Sequence, residues 1–242
     1  MLFQSYIFIL LFFPLCLLGF WGLKRQKLLQ LWLIAFSLWF YGAASPYYLL
    51  LLLGSIAWNY AFFRAIERGI GRVIERVSGS AMERAEYGME RDSSRKRLLL
   101  GIGIAGNLAL LCFFKYFNAI SAGWSQMKGL EDPILQLALP LGISFFTFQQ
   151  IGFLADAYKG EVGACSLREY VLFVSFFPYV SSGPIVNAQE MLPQYRQIGR
   201  QRLDWAKFAG GLYLFALGLS KKVLLADTFG KAVDAGYGNV AG

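Results

Sequence analysis

The residues of this chain whose types could do chemistry sit where apolar ones are expected. Ser144, Thr147, Gln149 and Gln150 interrupt an apolar run that closes at Asp156. Polar groups carried into hydrocarbon face protein or a polar cavity rather than lipid. Ser144 and Thr147 are short enough to bond back to their own helix, while two adjacent glutamine amides need several partners each. The glutamines therefore have two readings, hydrogen bonding between packed helices or the lining of a pocket. Asp156 is either a solvated boundary charge or an intramembrane partner for Lys159 or Lys221. Lys221 and Lys222 either anchor a span at the interface or attract an anionic ligand.

A second concentration of unusual residues lies at 170–189, YVLFVSFFPYVSSGPIVNAQ, twenty residues without a charge. That length crosses a bilayer. Yet Pro178 removes an amide donor, and Gly183 with Pro184 permits a turn that no ordinary helix interior holds. Broken backbone is tolerated at membrane depth only where other helices bury it or where it lines a polar cavity. Pro178, Ser181, Ser182, Gly183 and Pro184 are therefore expected to line a passage, together with Ser144, Gln149, Gln150, Asp156, Lys221 and Lys222. The competing reading is a single Pro-kinked spanning helix.

What such a passage can host is limited by missing residue types. The chain has no histidine, the commonest general base and metal ligand, so any acid–base step uses another group or other polypeptide. Cys16, Cys112 and Cys165 are far apart and odd in number, which reads as reduced packing residues rather than a disulfide framework or metal site. No metal and no bound cofactor is expected. The GIGIAG string at 101–106 spells a dinucleotide motif without the strand and helix that motif needs, and its small residues are expected to admit a neighbouring helix. No Walker, HExxH or GxSxG string is present, which removes the familiar soluble-enzyme readings.

The elements that must position these residues are membrane helices. A chain 57% hydrophobic, 17% aromatic and only 16% charged is a poor soluble domain. Its net charge of +8 resides in short loops between apolar runs, where topology accounts for it and nucleic acid is not implied. The expected fold class is all-α: one polytopic transmembrane helical bundle with a re-entrant broken helix and cytoplasmic interfacial helices. Spans are expected at about 1–23, 28–41, 46–63, 98–117, 133–155 and 208–226, with the re-entrant element at 170–190. The first is an uncleaved span, because Lys24, Arg25 and Lys27 follow its apolar core instead of preceding it.

Sidedness follows from the basic residues. With the first loop cytoplasmic, inside loops hold eighteen Lys and Arg against Lys128 alone outside, a strong bias. The N terminus then faces away from the cytoplasm, and the broken segment leaves and returns on the cytoplasmic side. That parity supports a re-entrant element. In the cytoplasmic loop 64–97, Ile66, Ile70, Val73, Ile74 and Val77 share one helical face and Arg64, Arg68, Arg72 and Arg76 another. This is an interfacial helix on anionic head groups or an ordinary helix covering the mouth of the bundle. Residues 78–97, with mixed charges, are expected to be a mobile hydrophilic connection.

Three strings then carry a resemblance: LPLGISFFTFQQIGFLADAYKGE at 139–161, FFPYVSSGPI at 176–185 followed by Pro193-Gln194-Tyr195, and GLSKKVLLAD at 218–227. With the opening MLFQSYIFILLFFPL and FFKYFN at 113–118, they resemble the membrane-bound O-acyltransferase family, in the bacterial branch of the alginate O-acetyltransferase membrane subunit. The resemblance is collinear over essentially all 242 residues. It implies a helical fold around a tunnel in a bacterial inner membrane. Acetyl groups would come from acetyl-coenzyme A or another acyl carrier and pass, through periplasmic or extracellular partner proteins, to a polysaccharide such as an alginate-like polymer or peptidoglycan. Membrane lipid is the other implied partner. The family's catalytic histidine lies in the later half of its polypeptide and is expected C-terminal to Gly242, so that no catalytic residue is assigned within these residues. The expectation is the N-terminal half of an acyltransferase, inactive alone. A sister branch that transfers D-alanine to teichoic acid, and a transporter or channel subunit gated by the broken helix, are the alternatives.

Overall fold

The computed structural model describes residues 3, 5–23, 25–78, 82–128, 137–181, 183–200 and 204–238, and of residues 69–93, 126, 200, 237 and 238 the backbone only. Every regular element among the described residues is helical. A π-helical turn, Phe8–Phe12, leads into α1 (Phe13–Gly22), followed by α2 (Gln26–Gly42), α3 (Pro46–Ser78), α4 (Met82–Met127) and α5 (Ile143–Lys159). Three short helices come next, α6 (Leu167–Ser175), α7 (Phe177–Val180) and α8 (Ala188–Gln197). The last helix begins as α9 (Trp205–Ser220), passes through a π-helical stretch, Lys221–Ala226, and ends as α10 (Asp227–Gly238).

Helices long and apolar enough to cross a membrane run over Pro46–Arg68, Ser94–Ser125 and Trp205–Gly236, and Phe8–Gly22 is a shorter apolar helix. The protein is an all-α, multi-pass membrane protein. At 1.5 Å per residue the 46 residues of α4 extend about 69 Å, more than twice a hydrocarbon core of about 30 Å. Residues 64–78 accordingly continue α3, and residues 82–97 form the start of α4. The connection expected to be mobile over 78–97 is thus helical from Met82 onward, because Ala, Glu, Arg and Met are strong helix formers whatever their charge. The side chains that would decide between an interfacial and a mouth-covering face, Ile70, Val73, Ile74, Val77, Arg72 and Arg76, lie outside the described residues.

The helix expected to start near residue 133 starts at Ile143. Residues 137–140 belong to no regular element, Pro140 lacks the amide donor a helix interior needs, and Gly142 takes a left-handed φ of 67° as the residue capping α5. The small residues of 101–106 act as expected at two positions. A methyl on Gly103 would approach Leu154 Cδ1 of α5 to 2.9 Å, and one on Gly106 would approach the Trp58 ring of α3 to 3.0 Å. A methyl on Gly101 would meet nothing within 4 Å.

The interior carries an unusual polar load for hydrocarbon. Asn59 and Asn107 donate amide hydrogens to each other's oxygen at 3.1 and 2.6 Å, and each also donates back to its own helix, at Ser55 O and Gly103 O. Gln150 donates to Ser55 Oγ at 2.9 Å and accepts from Tyr170 OH at 3.1 Å. One connected set of bonds therefore ties α3, α4, α5 and α6.

Candidate functional site

The broken segment is a hairpin. Helix α6 begins with Ser166, whose hydroxyl accepts the Glu169 amide while the Glu169 carboxylate accepts the Ser166 amide, a reciprocal cap. It ends at Ser175. Phe176 leaves helical geometry at φ −54°, ψ 114°, two residues ahead of Pro178, and Pro178 then sits in the first turn of α7, where a missing amide hydrogen does no harm. The break is thus the consequence of placing a proline at the start of a second helix. After Val180 the Gly183 amide reaches back to Tyr179 O at 3.0 Å. A methyl on Gly183 would stand 2.1 Å from Tyr179 Cβ, so the tightness of this return requires glycine.

The chain then comes back as α8, and the ends of the hairpin meet. Arg196 Nε donates to Glu169 Oε1 at 2.8 Å, Arg196 also donates to Ala164 O at 2.5 Å, and Gln189 bonds Glu161 at 2.9 Å. Burial pushes the Glu169 carboxyl up, but hydrogen bonds from Arg196 and Ser166, with the guanidinium charge, outweigh it and leave its pKa below the ordinary value.

Helix α2 measures how deep the hairpin goes. Gln26 abuts Gly199. Gln30 Nε2 donates to Tyr195 O at 3.0 Å, Ser37 Oγ accepts the Phe177 amide at 3.2 Å, and Tyr41 OH donates to Leu141 O at 2.9 Å. Gly142 in turn packs on the tip, where an added methyl would lie 2.0 Å from Val180 O. From Gln30 to Tyr41 is about 16 Å of helix, more than half of a hydrocarbon core. The hairpin enters and leaves at one end of α2, and its tip stands at the other.

The backbone groups around the break find protein partners. The freed Phe177 amide goes to Ser37, and Phe173 O accepts both Gln149 Nε2 and Tyr179 OH at 2.9 Å. Because Tyr179 commits its proton to that carbonyl, Tyr195 OH is the donor in the 2.5 Å pair with Tyr179. The Phe177 ring rests among Phe8, Phe12 and Phe40, which fixes the tip of the hairpin against α1 and α2.

The sequence-predicted residues separate into four groups. Ser144 (half-buried) on the first turn of α5, with Ser181 and Gly183 (both half-buried) and the exposed Pro178 and Pro184, belong to the region where α5 meets the hairpin. Ser182 lies outside the described residues. Gln149 and Gln150 are buried and committed to Phe173 O, Ser55 and Tyr170. Asp156 is half-buried near the far end of α5 and makes no ion pair with Lys159 or Lys221 among the described residues. Lys221 and Lys222 are exposed. Lys222 pairs with Asp227 at 2.5 Å, an i,i+5 spacing that the π-helical stretch brings into line. Helix α9 runs antiparallel to α1, since Phe208 meets Trp21 and Phe215 stacks on Phe13, so the lysines lie toward the Phe8 and Tyr41 end, away from the Glu169–Arg196 mouth. The expected histidine has no counterpart to place here, because the chain contains none.

Thr147 Oγ1 is buried with no hydrogen-bond partner among the described residues, and nothing in the structure explains it. A cavity of about 370 Å³ lies between α3 and α4, lined by Leu51, Gly54, Ser55, Trp58, Gly106, Asn107 and Leu110, and includes none of the eleven candidates. Sequence reasoning passes over Gln30, Ser37 and Tyr41. Their spacing is a usable signal, because i, i+7 and i+11 place three polar groups on one face of an otherwise apolar helix.

The chain is 34% identical to the peptidoglycan O-acetyltransferase of Helicobacter pylori over 98% of its own length and 46% of that protein. It is 33% identical to the probable alginate O-acetylase AlgI of Pseudomonas putida over 97% of its length and 44% of that protein. A teichoic acid D-alanyltransferase of Lacticaseibacillus rhamnosus is 27% identical over 90 residues, 37% of this chain and 22% of that protein. The chain spans less than half the length of the curated relatives it matches over nearly its whole extent. No family model matches the chain. No solved structure matches it.

Proposed function

The chain belongs to the membrane-bound O-acyltransferase family, and from that premise we propose that it forms the donor-side part of a membrane O-acetyltransferase. The observation that carries this reading is the similarity along 98% of the chain to a peptidoglycan O-acetyltransferase. Acetyl groups come from acetyl-coenzyme A or another cytosolic acyl carrier and pass to a polysaccharide on the far side, peptidoglycan or an alginate-like polymer, with extracytoplasmic partner proteins. The chain lies in the bacterial inner membrane with its N terminus extracytoplasmic, the orientation that the basic loops favour.

In this reading the mouth at Glu169 and Arg196 faces the cytoplasm, and the tip at Val180 to Pro184 lies near the opposite side. Ser144, Ser181 and Gly183, where the start of α5 meets the tip, border the path of the acyl group, and that path is held by Gln149 on the hairpin backbone at Phe173 and by Gln150 on the Tyr170 hydroxyl. No residue here is assigned the acid–base step, because the chain has no histidine.

The test is transfer of labelled acetyl groups from acetyl-coenzyme A to cell-envelope polysaccharide, in membranes from cells carrying the complete gene and from a deletion strain. Acetylation that disappears with the gene supports the reading. Unchanged acetylation overturns it, and loss of D-alanine esters instead moves the protein to the teichoic acid branch, whose similarity spans 37% of the chain. A reporter fused at residue 1 tests the orientation, which fails if the reporter is active only in the cytoplasm.

A further inference from the structure

The cavity between α3 and α4 includes no residue of the hairpin. Its volume of about 370 Å³ falls in the range of pockets that hold small molecules. Ser55 and Asn107 in its wall stand near the middle of the spans Pro46–Arg68 and Ser94–Ser125, which places the cavity near the mid-plane of the hydrocarbon. It opens on the outer surface of the helix pair, since Gly54 and Trp58, also in its wall, are exposed.

The wall suits hydrocarbon and little else. Ser55 and Asn107 are buried and already bonded to protein, Ser55 Oγ accepting from Gln150 and both Asn107 amide hydrogens going to Asn59 Oδ1 and Gly103 O. The remaining lining residues are leucine, glycine and tryptophan. An ordered water needs two to four polar partners, and this wall offers too few. A lipid head group does not reach the mid-plane. An empty cavity, in turn, leaves its lining without contacts on one side, a loss that a hydrocarbon chain restores.

The shape selects a flexible chain over a helix. Toward the Arg64 end the Trp58 ring lies over Gly106, 3.0 Å from where a methyl would stand, and Phe62, paired with Trp58 at 4.8 Å, lies over Gly103. Toward the other end the rings of Tyr48 and Phe114 meet edge to face at 6.2 Å across the same two helices. From Tyr48 to Trp58 is about 15 Å of helix. A helix laid along the seam would strike these aromatic bridges, whereas an acyl chain can enter from the side and bend between them.

We infer that this cavity holds the acyl chain of a membrane phospholipid, packed on Ser55 and Asn107 between the two aromatic bridges. The inference does not rest on the proposed function. Its consequence reaches the hairpin all the same, because Ser55 shares Gln150 with Tyr170 of α6, so the chain braces the bonded set that holds α6.

The experiment uses the complete protein in vesicles of phosphatidylethanolamine and phosphatidylglycerol that contain a phospholipid with a diazirine in its acyl chain. After irradiation, the labelled residues are mapped by mass spectrometry. Adducts are expected on the cavity residues of 51–58 and 106–110 in excess of those on Leu50 and Leu108, which are exposed on the same helices outside the cavity, and this excess should saturate with probe. Gly54→Leu fills the cavity from a position where a methyl meets nothing within 4 Å. It should lower the cavity adducts about tenfold or more, since a leucine side chain and an acyl chain cannot share the space. Gly101→Leu, equally free of contacts and outside the cavity, should leave them unchanged. Cavity labelling no greater than that of Leu50 and Leu108 overturns the inference, as does labelling that Gly54→Leu does not reduce. Adducts on Leu50 and Leu108 with none in the cavity would show that protein covers it, and overturn the inference too. If Gly54→Leu fails to fold, the comparison within the parent protein decides alone.

Discussion

Glu169 and Arg196 stand 27 positions apart in sequence and 2.8 Å apart in space, so the chain that goes in at one returns to the other. A single kinked span cannot do this, because its ends would be separated by the thickness of the bilayer. The pair also sets a pH dependence. The Glu169 carboxyl has its pKa lowered in the folded protein, so the bridge contributes stability above the ordinary carboxylate range and loses it as pH falls through the lowered folded value. Thermal unfolding of the complete protein in detergent should show a Tm that drops on acidification below that range. In Glu169→Gln this drop should shrink, and an undiminished drop would remove Glu169 from the account.

Ser37 should prove more important than its size suggests. Its hydroxyl is the acceptor for the Phe177 amide, and both residues are buried. Ser37→Ala leaves that amide without a partner, which costs about 1–3 kcal/mol, whereas Ser37→Thr keeps the hydroxyl. A Tm for Ser37→Ala equal to that of the parent would mean that water reaches the break.

Much of this hairpin is legible in the sequence. The proline, the Gly-Pro pair and the charge parity of the flanks favour a broken, returning backbone over a single kinked helix, and the structure forms a hairpin whose ends meet at Glu169 and Arg196. The position of the break is less legible, because Phe176 is an ordinary residue that turns only since Pro178 begins a new helix two residues later. The partners of the freed backbone are hidden for a different reason. Ser37 and Gln149 come from helices that no local pattern assigns to the hairpin. The same long-range packing turns Gln149 and Gln150 from open candidates into hydrogen-bonding struts. Residues 82–97 go the other way, since mixed charge reads as a connection while helix propensity builds a helix.

Gly142 and Gly160 both hold left-handed φ angles, 67° and 78°, and separate conformation from contact. A methyl on Gly160 meets nothing within 4 Å, so Gly160→Ala should cost about 1–2 kcal/mol, the strain of the backbone alone. Gly142→Ala adds a methyl 2.0 Å from Val180 O and must push the start of α5 off the hairpin tip. It should belong to the exceptional class that loses more than about 4 kcal/mol. Expression and thermal unfolding of the two variants side by side give the comparison, and equal losses would show that the tip does not press on Gly142.

The Asn59–Asn107 pair predicts a measurable coupling between α3 and α4. Each single Asn→Leu change leaves the opposite amide, at 0% or 2% exposure, short of one partner in an apolar interior. The double change removes both amides and should therefore cost less than the two single losses added together. Hydrogen bonds of this kind between membrane helices couple by about 0.6 kcal/mol on average and about 1.7 at most. Here each amide also bonds its own helix, which orients the side chains before they meet and places the expected coupling in the upper part of that range. A double-mutant cycle on thermal or denaturant unfolding measures it. Strict additivity would mean that the singly changed proteins satisfy the remaining asparagine by other means, with the nearby Ser55 hydroxyl as the first group to examine.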